Sequence, residues 1–337
     1  MKKDKTIIIA EIGVNHNGKL KLAKKLIEIA AKAKVDYVKF QTSIPSLHIS
    51  ENAKQAIYQK NNFPIKNNSQ LAMAKKLAFD FKIFPTLKKF CRKKNVKFLS
   101  SAFDIESVKF LHKLKQDYFK IPSSEITNYP YLKELGKLNK KIILSTGMSN
   151  LKMVEDAIKV LQKYGTKKKD IILLHCNTAY PTPIKDVNLN AMLSLKKKFK
   201  CEVGYSDHTE GNIVSLAAVS LGAKIIERHI TISKKMKGPD HKSSLEPKEL
   251  IKLVKNIRDL QTALGNKNKN ITNSEKKNII AARKSLVAAK KIIRGEKFTH
   301  KNITSKRPGS GLSPMLYPTI IGKKSKKNYN KDELIKQ

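Results

Sequence analysis

The chain predicts a (β/α)8 barrel followed by a small β-rich module, and three observations point there. Eight short apolar runs recur over the first 230 residues, amphipathic helical stretches alternate with them, and nearly every run ends in a polar, chemically capable residue. Eight strand–helix units in roughly 265 residues match the usual size of such a barrel. A closed ring of parallel strands carries all eight endings to one rim, where barrel enzymes keep their active sites. A doubly wound sheet is the main competitor, but neither G-x-G-x-x-G nor a Walker sequence follows any run.

Taken in order, the first strand is predicted at 6–13 and carries Glu11. The second, 36–42, ends with Lys39 and Gln41; the third, 97–103, holds Ser100 and Ser101. The fourth, 118–123, brings Lys120 and Ser123 with Glu125 just beyond, and the fifth, 141–146, ends in Ser145 and Thr146. The sixth, 171–177, holds His175 and Asn177. The seventh, 202–207, leads through Ser206 to His208, and the eighth, 224–230, carries Glu227 and His229. Helical patterns lie between, such as the stripe Leu151, Val154, Ile158 and Leu161 behind an Asn150 cap. The closing helix has Pro247 near its start, a stripe of Leu250, Val254, Ile257 and Leu264, and Gly265 past its end. The connection from Ser43 to Asn68 reads as a long loop, a length that usually covers a site or is disordered.

Beyond the barrel, 266–278 is polar and rich in Lys and Asn, which reads as a linker. A strand at 284–289, a turn at Arg294-Gly295-Glu296, a strand at 302–306 and Pro308-Gly309-Ser310-Gly311 follow. The predicted organisation is a catalytic barrel at 1–265, a linker at 266–282 and a β-rich domain at 283–337. A module of about 55 residues is marginal alone and is expected to dock on something.

The net charge of +43 raises nucleic acid or anionic membrane as partners. Only six of the 70 basic residues are Arg, however, and the lysines spread over the whole length. Grouped Arg forks and stacking aromatics, the instruments of nucleic-acid readout, are missing. An AT-rich coding bias accounts for the Lys, Asn and Ile, and no specific nucleic-acid partner is expected. The field still steers small anions inward. No apolar run is long enough to span a membrane. The start, Met1-Lys2-Lys3-Asp4-Lys5, leads into too short an apolar run for an export signal. Three cysteines without paired spacing fit a reduced, cytoplasmic protein.

Side-chain parity sharpens the site. Residues two apart on a strand share a face, so Lys39 pairs with Gln41, Ser206 with His208, and Glu227 with His229. If these face the lumen, buried polar groups need water, a metal or a substrate, since each left unpaired costs roughly 1–3 kcal/mol. His208 and His229 end consecutive strands about 4.8 Å apart, a spacing suited to one shared cation. Two imidazoles leave positions open for a Lewis acid, and ligand type allows Zn, Fe or Ni as readily as Mn. Lys39 and Lys120 with Ser123, Ser145 and Ser206 suit a phosphate or carboxylate. Glu11 and Glu125 are carboxylates placed to handle protons or orient a water. Asp207 and Glu227 read as hydrogen-bonding supports for the histidines, while His16, His175 and His241 read as loop or packing residues.

These residues sit within Ala10-Glu11-Ile12-Gly13-Val14-Asn15-His16-Asn17-Gly18, Val38-Lys39-Phe40-Gln41-Thr42, Lys120-Ile121-Pro122-Ser123-Ser124-Glu125 and Leu144-Ser145-Thr146-Gly147-Met148. Further on come His175-Cys176-Asn177-Thr178-Ala179-Tyr180-Pro181-Thr182-Pro183, Gly204-Tyr205-Ser206-Asp207-His208-Thr209, Glu227-Arg228-His229 and Gly238-Pro239-Asp240. In that order they resemble the sialic acid (N-acetylneuraminate) synthase family, including its legionaminic acid synthase branch. Lys306-Arg307-Pro308-Gly309 resembles that family's antifreeze-like, or SAF, module. The segments 139–148 and 243–250 lean towards the legionaminate branch.

The resemblance implies a TIM barrel with an SAF domain exchanged across a homodimer. It implies condensation of phosphoenolpyruvate with an N-acylated mannosamine-type sugar, with release of phosphate. The cofactor implied is a divalent metal, Mn2+ first, with Mg2+ or Co2+ as alternatives, held by His208 and His229. Lys39, Ser101, Lys120, Ser123, Ser145 and Ser206 would hold phosphoenolpyruvate. Gln41, Tyr180 and Asp240 would contact the sugar, joined by Arg307 of the partner subunit, with Glu11 and Glu125 near the metal and the attacking water. Two departures stand out: Ser100-Ser101-Ala102-Phe103 replaces Ser-Thr-Pro-Phe, and Pro122-Ser123-Ser124-Glu125 replaces Pro-Ser-Gly-Glu. The first keeps a hydroxyl donor; the second adds a side chain where backbone approaches ligand. The rival readings are another metal-dependent barrel aldolase or epimerase, and a basic RNA-binding protein.

Overall fold

The strands run parallel and close on themselves. A computed structural model describes residues 5–336; residues 1–4, part of the basic start, lie outside the described residues. The chain divides into two compact units, one ending at Gly265 and one beginning at Asn266.

In the first unit, β1 (Ile7–Gly13), β2 (Tyr37–Thr42), β3 (Lys97–Ala102), β4 (Phe119–Ile121), β5 (Ile142–Ser145), β6 (Ile171–Cys176), β7 (Glu202–Asp207) and β8 (Ile225–His229) form the barrel. Each pairs with the next, and β1 pairs with β8 through Ile7↔Ile225 to Glu11↔His229. Around them lie α1 (Leu20–Lys32), α2 (Ile57–Asn62), α3 (Gln70–Leu77), α4 (Ile83–Lys93), α5 (Ile105–Lys113), α6 (Tyr129–Lys137), α7 (Leu151–Lys163), α8 (Asn190–Phe199), α9 (Ile213–Ser220) and α10 (Pro247–Ala263). Asp104, Asn128 and Asn150 cap α5, α6 and α7 by accepting from the N–H three residues on, each worth about 1 kcal/mol.

Two apolar layers hold the unit together. Inside the barrel, Ile9, Tyr37, Leu99, Ile143, Leu174 and Ile225 come from six different strands and pack as one cluster. Outside, alternate residues such as Ile8, Ala10, Val38 and Phe40 meet the helices. Burial on both faces is why these strands read as nearly continuous apolar runs.

Two stretches differ from the expectation. The predicted fourth strand is cut to three residues, because Pro122 has no N–H to donate and the chain turns into a 3-10 segment at Ser123–Glu125. The connection after β2 is not a bare loop: it holds short turns at Pro45–Leu47 and Lys66–Asn68 with α2 between them. Gln55 organises it, donating from Nε2 to the Phe63 carbonyl at 2.9 Å and accepting from the Ile65 N–H at 3.2 Å. A buried amide, not an apolar stripe, does the folding there, so no periodicity announced it.

In the second unit β9 (Ser285–Ala288) and β10 (Ile303–Lys306) pair antiparallel. Their core comprises Leu286, Ala288, Ile292, Phe298, Ile303, Ile320, Tyr329 and Ile335. The stretch read as a linker contains two four-residue helices, Asn273–Lys276 and Ile279–Ala282. Among the described residues no helix is long and apolar enough to cross a membrane.

Candidate active site

One step along each strand converts the barrel core into a polar floor. Two residues beyond Ile9, Tyr37, Leu99, Ile143 and Ile225 stand Glu11, Lys39, Ser101, Ser145 and Glu227. Period-two geometry keeps them inside the barrel, and all five line a cavity of about 460 Å³ at the C-terminal strand ends. Lys120 on β4 and Ser206 on β7 complete the floor, and His208 and His229 lie two residues above Ser206 and Glu227. The two lysines and two histidines therefore meet in one cavity.

The floor is a network of buried charges. Lys39 Nζ lies 2.9 Å from Glu11 Oε2 and 3.5 Å from Glu227 Oε1, and Lys120 Nζ lies 3.5 Å from that same Glu227 oxygen. Lys39 also donates to Ser101 Oγ at 3.1 Å, and Ser206 Oγ to Glu227 Oε1 at 3.2 Å. Burial pushes the Glu227 carboxyl up, but Lys120 and Lys39 pull it well below the usual range. For Glu11 burial wins over Lys39, and its carboxyl is raised. Burial lowers Lys120 despite Glu227, whereas in Lys39 the pull of Glu11 and Glu227 outweighs burial and raises it. Glu227 Oε2 has no hydrogen-bond partner. Breaking one side of such a buried pair is costly, yet an anionic ligand can replace a carboxylate as the lysines' partner.

The histidines are neutral and partly unsatisfied. His208 donates from Nδ1 to the Asn177 carbonyl at 2.6 Å, which fixes the tautomer and leaves the Nε2 lone pair with only a long contact, to Ser206 Oγ at 3.5 Å. The His229 ring centroid is 5.3 Å away, and its buried Nδ1 lacks a hydrogen-bond partner, with Asp240 Oδ2 at 3.8 Å. Burial lowers His208 to about 4; burial and neighbouring His208 hold His229 well below its ordinary value. Among the described residues no group of three or more His, Cys, Asp or Glu converges as a metal cluster. Two neutral imidazoles side by side nevertheless suit a divalent cation whose remaining positions go to water and substrate.

The other residues predicted for the site are also built in. Ser123 Oγ accepts from the Gly147 N–H at 3.1 Å and lies 3.3 Å from Cys176 Sγ. A Cβ on Gly147 would stand 2.7 Å from that hydroxyl, so the backbone must come this close. Gln41 donates to Glu11 Oε1 at 3.3 Å. Tyr180 packs against His208 with ring centroids 4.2 Å apart and planes tilted by 35°, and burial raises Asp240 to about 7.

The structure treats some predicted residues differently. Glu125 is buried but does not line the cavity; Ser124 Oγ donates to it at 3.0 Å and Asn128 Nδ2 at 2.7 Å. Ser124, the residue in place of glycine, thus spends its hydroxyl on that carboxylate. Asp207 is corrected: instead of supporting the histidines it binds Arg228 Nη1 at 2.6 Å, Thr209 and Ser215, because odd positions on β7 face the helices. Arg307 belongs to the second unit, where its Nε donates to the Ala282 carbonyl at 3.0 Å. His175 and His241 bond to Val187 and Thr231 outside the cavity. His16 does line it, stacked on Phe79 at 3.9 Å.

Sequence reading missed the wall opposite the floor. Tyr58 and Gln59 of α2 and Met73 and Leu77 of α3 line the cavity. Tyr58 stacks on Tyr180 at 5.0 Å, and Asn62 Nδ2 donates to the Pro239 carbonyl at 2.9 Å, so the insertion after β2 bridges the mouth to the β6 and β8 loops. The only available signal was its length.

Fold and floor define a class: a barrel enzyme whose cavity sets paired lysines beside two neutral imidazoles. The comparisons with known proteins narrow it. Residues 26–269 match the NeuB family and 283–337 the SAF domain. N,N'-diacetyllegionaminic acid synthase of Campylobacter jejuni is 55% identical over 333 residues, covering 99% of both chains. The enzyme of the same name from Legionella pneumophila is 39% identical, covering 95% of this chain and 90% of its own. The crystal structure of N-acetylneuraminic acid (sialic acid) synthetase from Leptospira borgpetersenii, in complex with citrate, is 34% identical with a TM-score of 0.72, covering 82% of this chain and 90% of that one. The chain belongs to the NeuB family.

Proposed function

We propose that the protein condenses phosphoenolpyruvate with an open-chain N-acylated mannosamine, releasing phosphate and a nonulosonic acid. The acceptor we favour is 2,4-diacetamido-2,4,6-trideoxymannose, giving N,N'-diacetyllegionaminate, with N-acetylmannosamine and N-acetylneuraminate as the alternative pair. The observation that carries this is the floor: two lysines, three serines and two imidazoles, each placed by strand parity in one cavity.

Lys39 and Lys120, with Ser101, Ser123, Ser145 and Ser206, hold the phosphate and carboxylate of phosphoenolpyruvate in attack geometry. His208 and His229 would hold a divalent cation, for which we name Mn2+; when bound it polarises the sugar aldehyde. Gln41, Tyr180 and Asp240 orient the sugar. The methylene carbon of phosphoenolpyruvate attacks the aldehyde carbon, forming the C–C bond and leaving a cationic centre at the enol carbon. Water adds there as Glu11, with its raised proton affinity, takes a proton. The C–O bond to phosphate then breaks. Glu125, hydrogen-bonded by Ser124 and Asn128, acts by positioning the segment that carries Ser123.

We further propose a cytoplasmic homodimer in which Arg307 of the partner subunit reaches the sugar, and the domain boundaries given above. Support comes from the rim: Leu47, Ile57, Met148, Ile184 and Ile213 are exposed apolar residues, all in the segments between a barrel strand and the body of the helix that follows.

The test is phosphate release from phosphoenolpyruvate. It should require sugar and divalent cation together, stop on chelation and return on adding Mn2+. Label from [18O]water should enter the sugar acid, not the phosphate. Sugar isomerisation or cleavage without loss of phosphoenolpyruvate would instead favour the aldolase or epimerase reading.

A further inference from the structure

The residues proposed for catalysis leave one wall of the cavity without a task. The insertion after β2 contributes Ile49, Tyr58, Met73, Ala74 and Leu77 to the lining beside the polar Ser43, His48, Gln59 and Gln70, and no lysine or arginine. That is notable in a chain with 70 basic residues in 337. The ammonium groups lining the cavity are those of Lys39 and Lys120, both already set against Glu11 and Glu227.

This wall is held in place from behind. Gln55, itself buried, places Nε2 3.1 Å from Met73 Sδ while its other bonds pin Phe63 and Ile65. Met73 is 6% exposed and Leu77 2%. Tyr58 lies flat on Tyr180, and its hydroxyl accepts from Gln59 Nε2 at 3.3 Å. A phenol that accepts there keeps its own proton for another acceptor in the cavity.

We propose that Tyr58 and Met73 are the residues that select the acceptor. They favour an uncharged sugar bearing methyl groups at its far end and exclude a phosphorylated one. This rests on the condensation reading above. Met73 and Leu77 give an N-acyl or 6-deoxy methyl a dry, rigid surface. A hydroxyl set against those two side chains would lose its hydrogen bonds to water, and a phosphate dianion would meet no lysine or arginine on this wall. Tyr58 covers the sugar from the insertion side and donates to one of its oxygens.

The test uses the full-length, Mn2+-loaded protein and three acceptors: 2,4-diacetamido-2,4,6-trideoxymannose, N-acetylmannosamine and N-acetylmannosamine 6-phosphate. Wild type should prefer them in that order. Met73→Gln should lower kcat/KM for the trideoxy sugar about tenfold and narrow its preference over N-acetylmannosamine by a similar factor. Met73→Leu, which conserves apolar volume, should retain the preference, and KM for phosphoenolpyruvate should not move in either. Tyr58→Phe, which removes only the hydroxyl, should raise KM for the sugar alone.

Acceptor ratios in Met73→Gln and Tyr58→Phe equal to wild type would overturn the proposal while leaving the condensation reading intact. So would efficient use of the 6-phosphate by wild type. Failure of wild type to consume phosphoenolpyruvate with any of the three would remove the condensation reading and the proposal with it.

Discussion

Strands β7 and β8 carry charged side chains on both faces, and the two faces treat them in opposite ways. On the outer face Asp207 and Arg228 form a fully buried pair whose remaining bonds go to Thr209 and Ser215. One residue along, on the inner face, Glu227 is shared between Lys39 and Lys120 at 3.5 Å, with one oxygen unpaired, and His229 has a free Nδ1. Burial is the same, and neither face is fully satisfied, since Arg228 Nε and Nη1 also lack hydrogen-bond partners. What differs is that the inner groups line a cavity and the outer ones do not. A charge pair packed between strand and helices supports the fold, whereas charges at the floor of a cavity are accessible to a ligand.

That contrast can be broken by substitution. The largest effect should come from the inner face. His208→Ala should lower phosphate release by about a thousandfold or more, as loss of a group acting on developing charge does, while the melting temperature stays near wild type. A parallel loss of fold would mean that the inner face is structural too.

The outer face should answer in the opposite currency. Asp207→Ala leaves Arg228 buried without its partner, and breaking such a pair costs roughly 3–5 kcal/mol. Urea unfolding should show that loss, with turnover per folded molecule little changed.

A milder test sits on the floor itself. Ser101→Ala removes one hydroxyl facing Lys39, worth about 1 kcal/mol, so KM for phosphoenolpyruvate should rise several-fold and the KM of the sugar should hold. An equal rise in both would place Ser101 elsewhere in the reaction.

The smallest effect concerns pH. Burial lowers His16 from 6.5 to about 3. Its folded form binds fewer protons than its unfolded form between those values, so the stability it contributes is complete above about 6.5 and lost as pH falls towards 3. In His16→Gln the drop in melting temperature from pH 7 to pH 5 should be shallower than in wild type. Equal slopes would show that His16 is not held neutral.

Much of this was legible beforehand. The eight runs matched the eight barrel strands because strands buried on both faces must be apolar along their length. The floor was legible because a polar residue two places past a core position faces the same way, as Lys39 follows Tyr37 and Glu227 follows Ile225. Asp207 was misread because Ser206 and His208 on either side share the inner face, which leaves the residue between them outside. Glu125 was read with Glu11 as a carboxylate beside the cations, but the turn after Pro122 carries it away from the cavity lining.

The primary chain by itself therefore determined the barrel, the strand endings and the residues aimed at the lumen, because alternation is a local property of extended backbone. Only the tertiary structure decided which of those groups share a partner, that Glu227 sits between two lysines, and that Tyr58 and Met73 close the cavity. Those relations join strands and loops distant in sequence, and they are set by barrel closure and by the buried Gln55 amide, neither of which leaves a periodic trace.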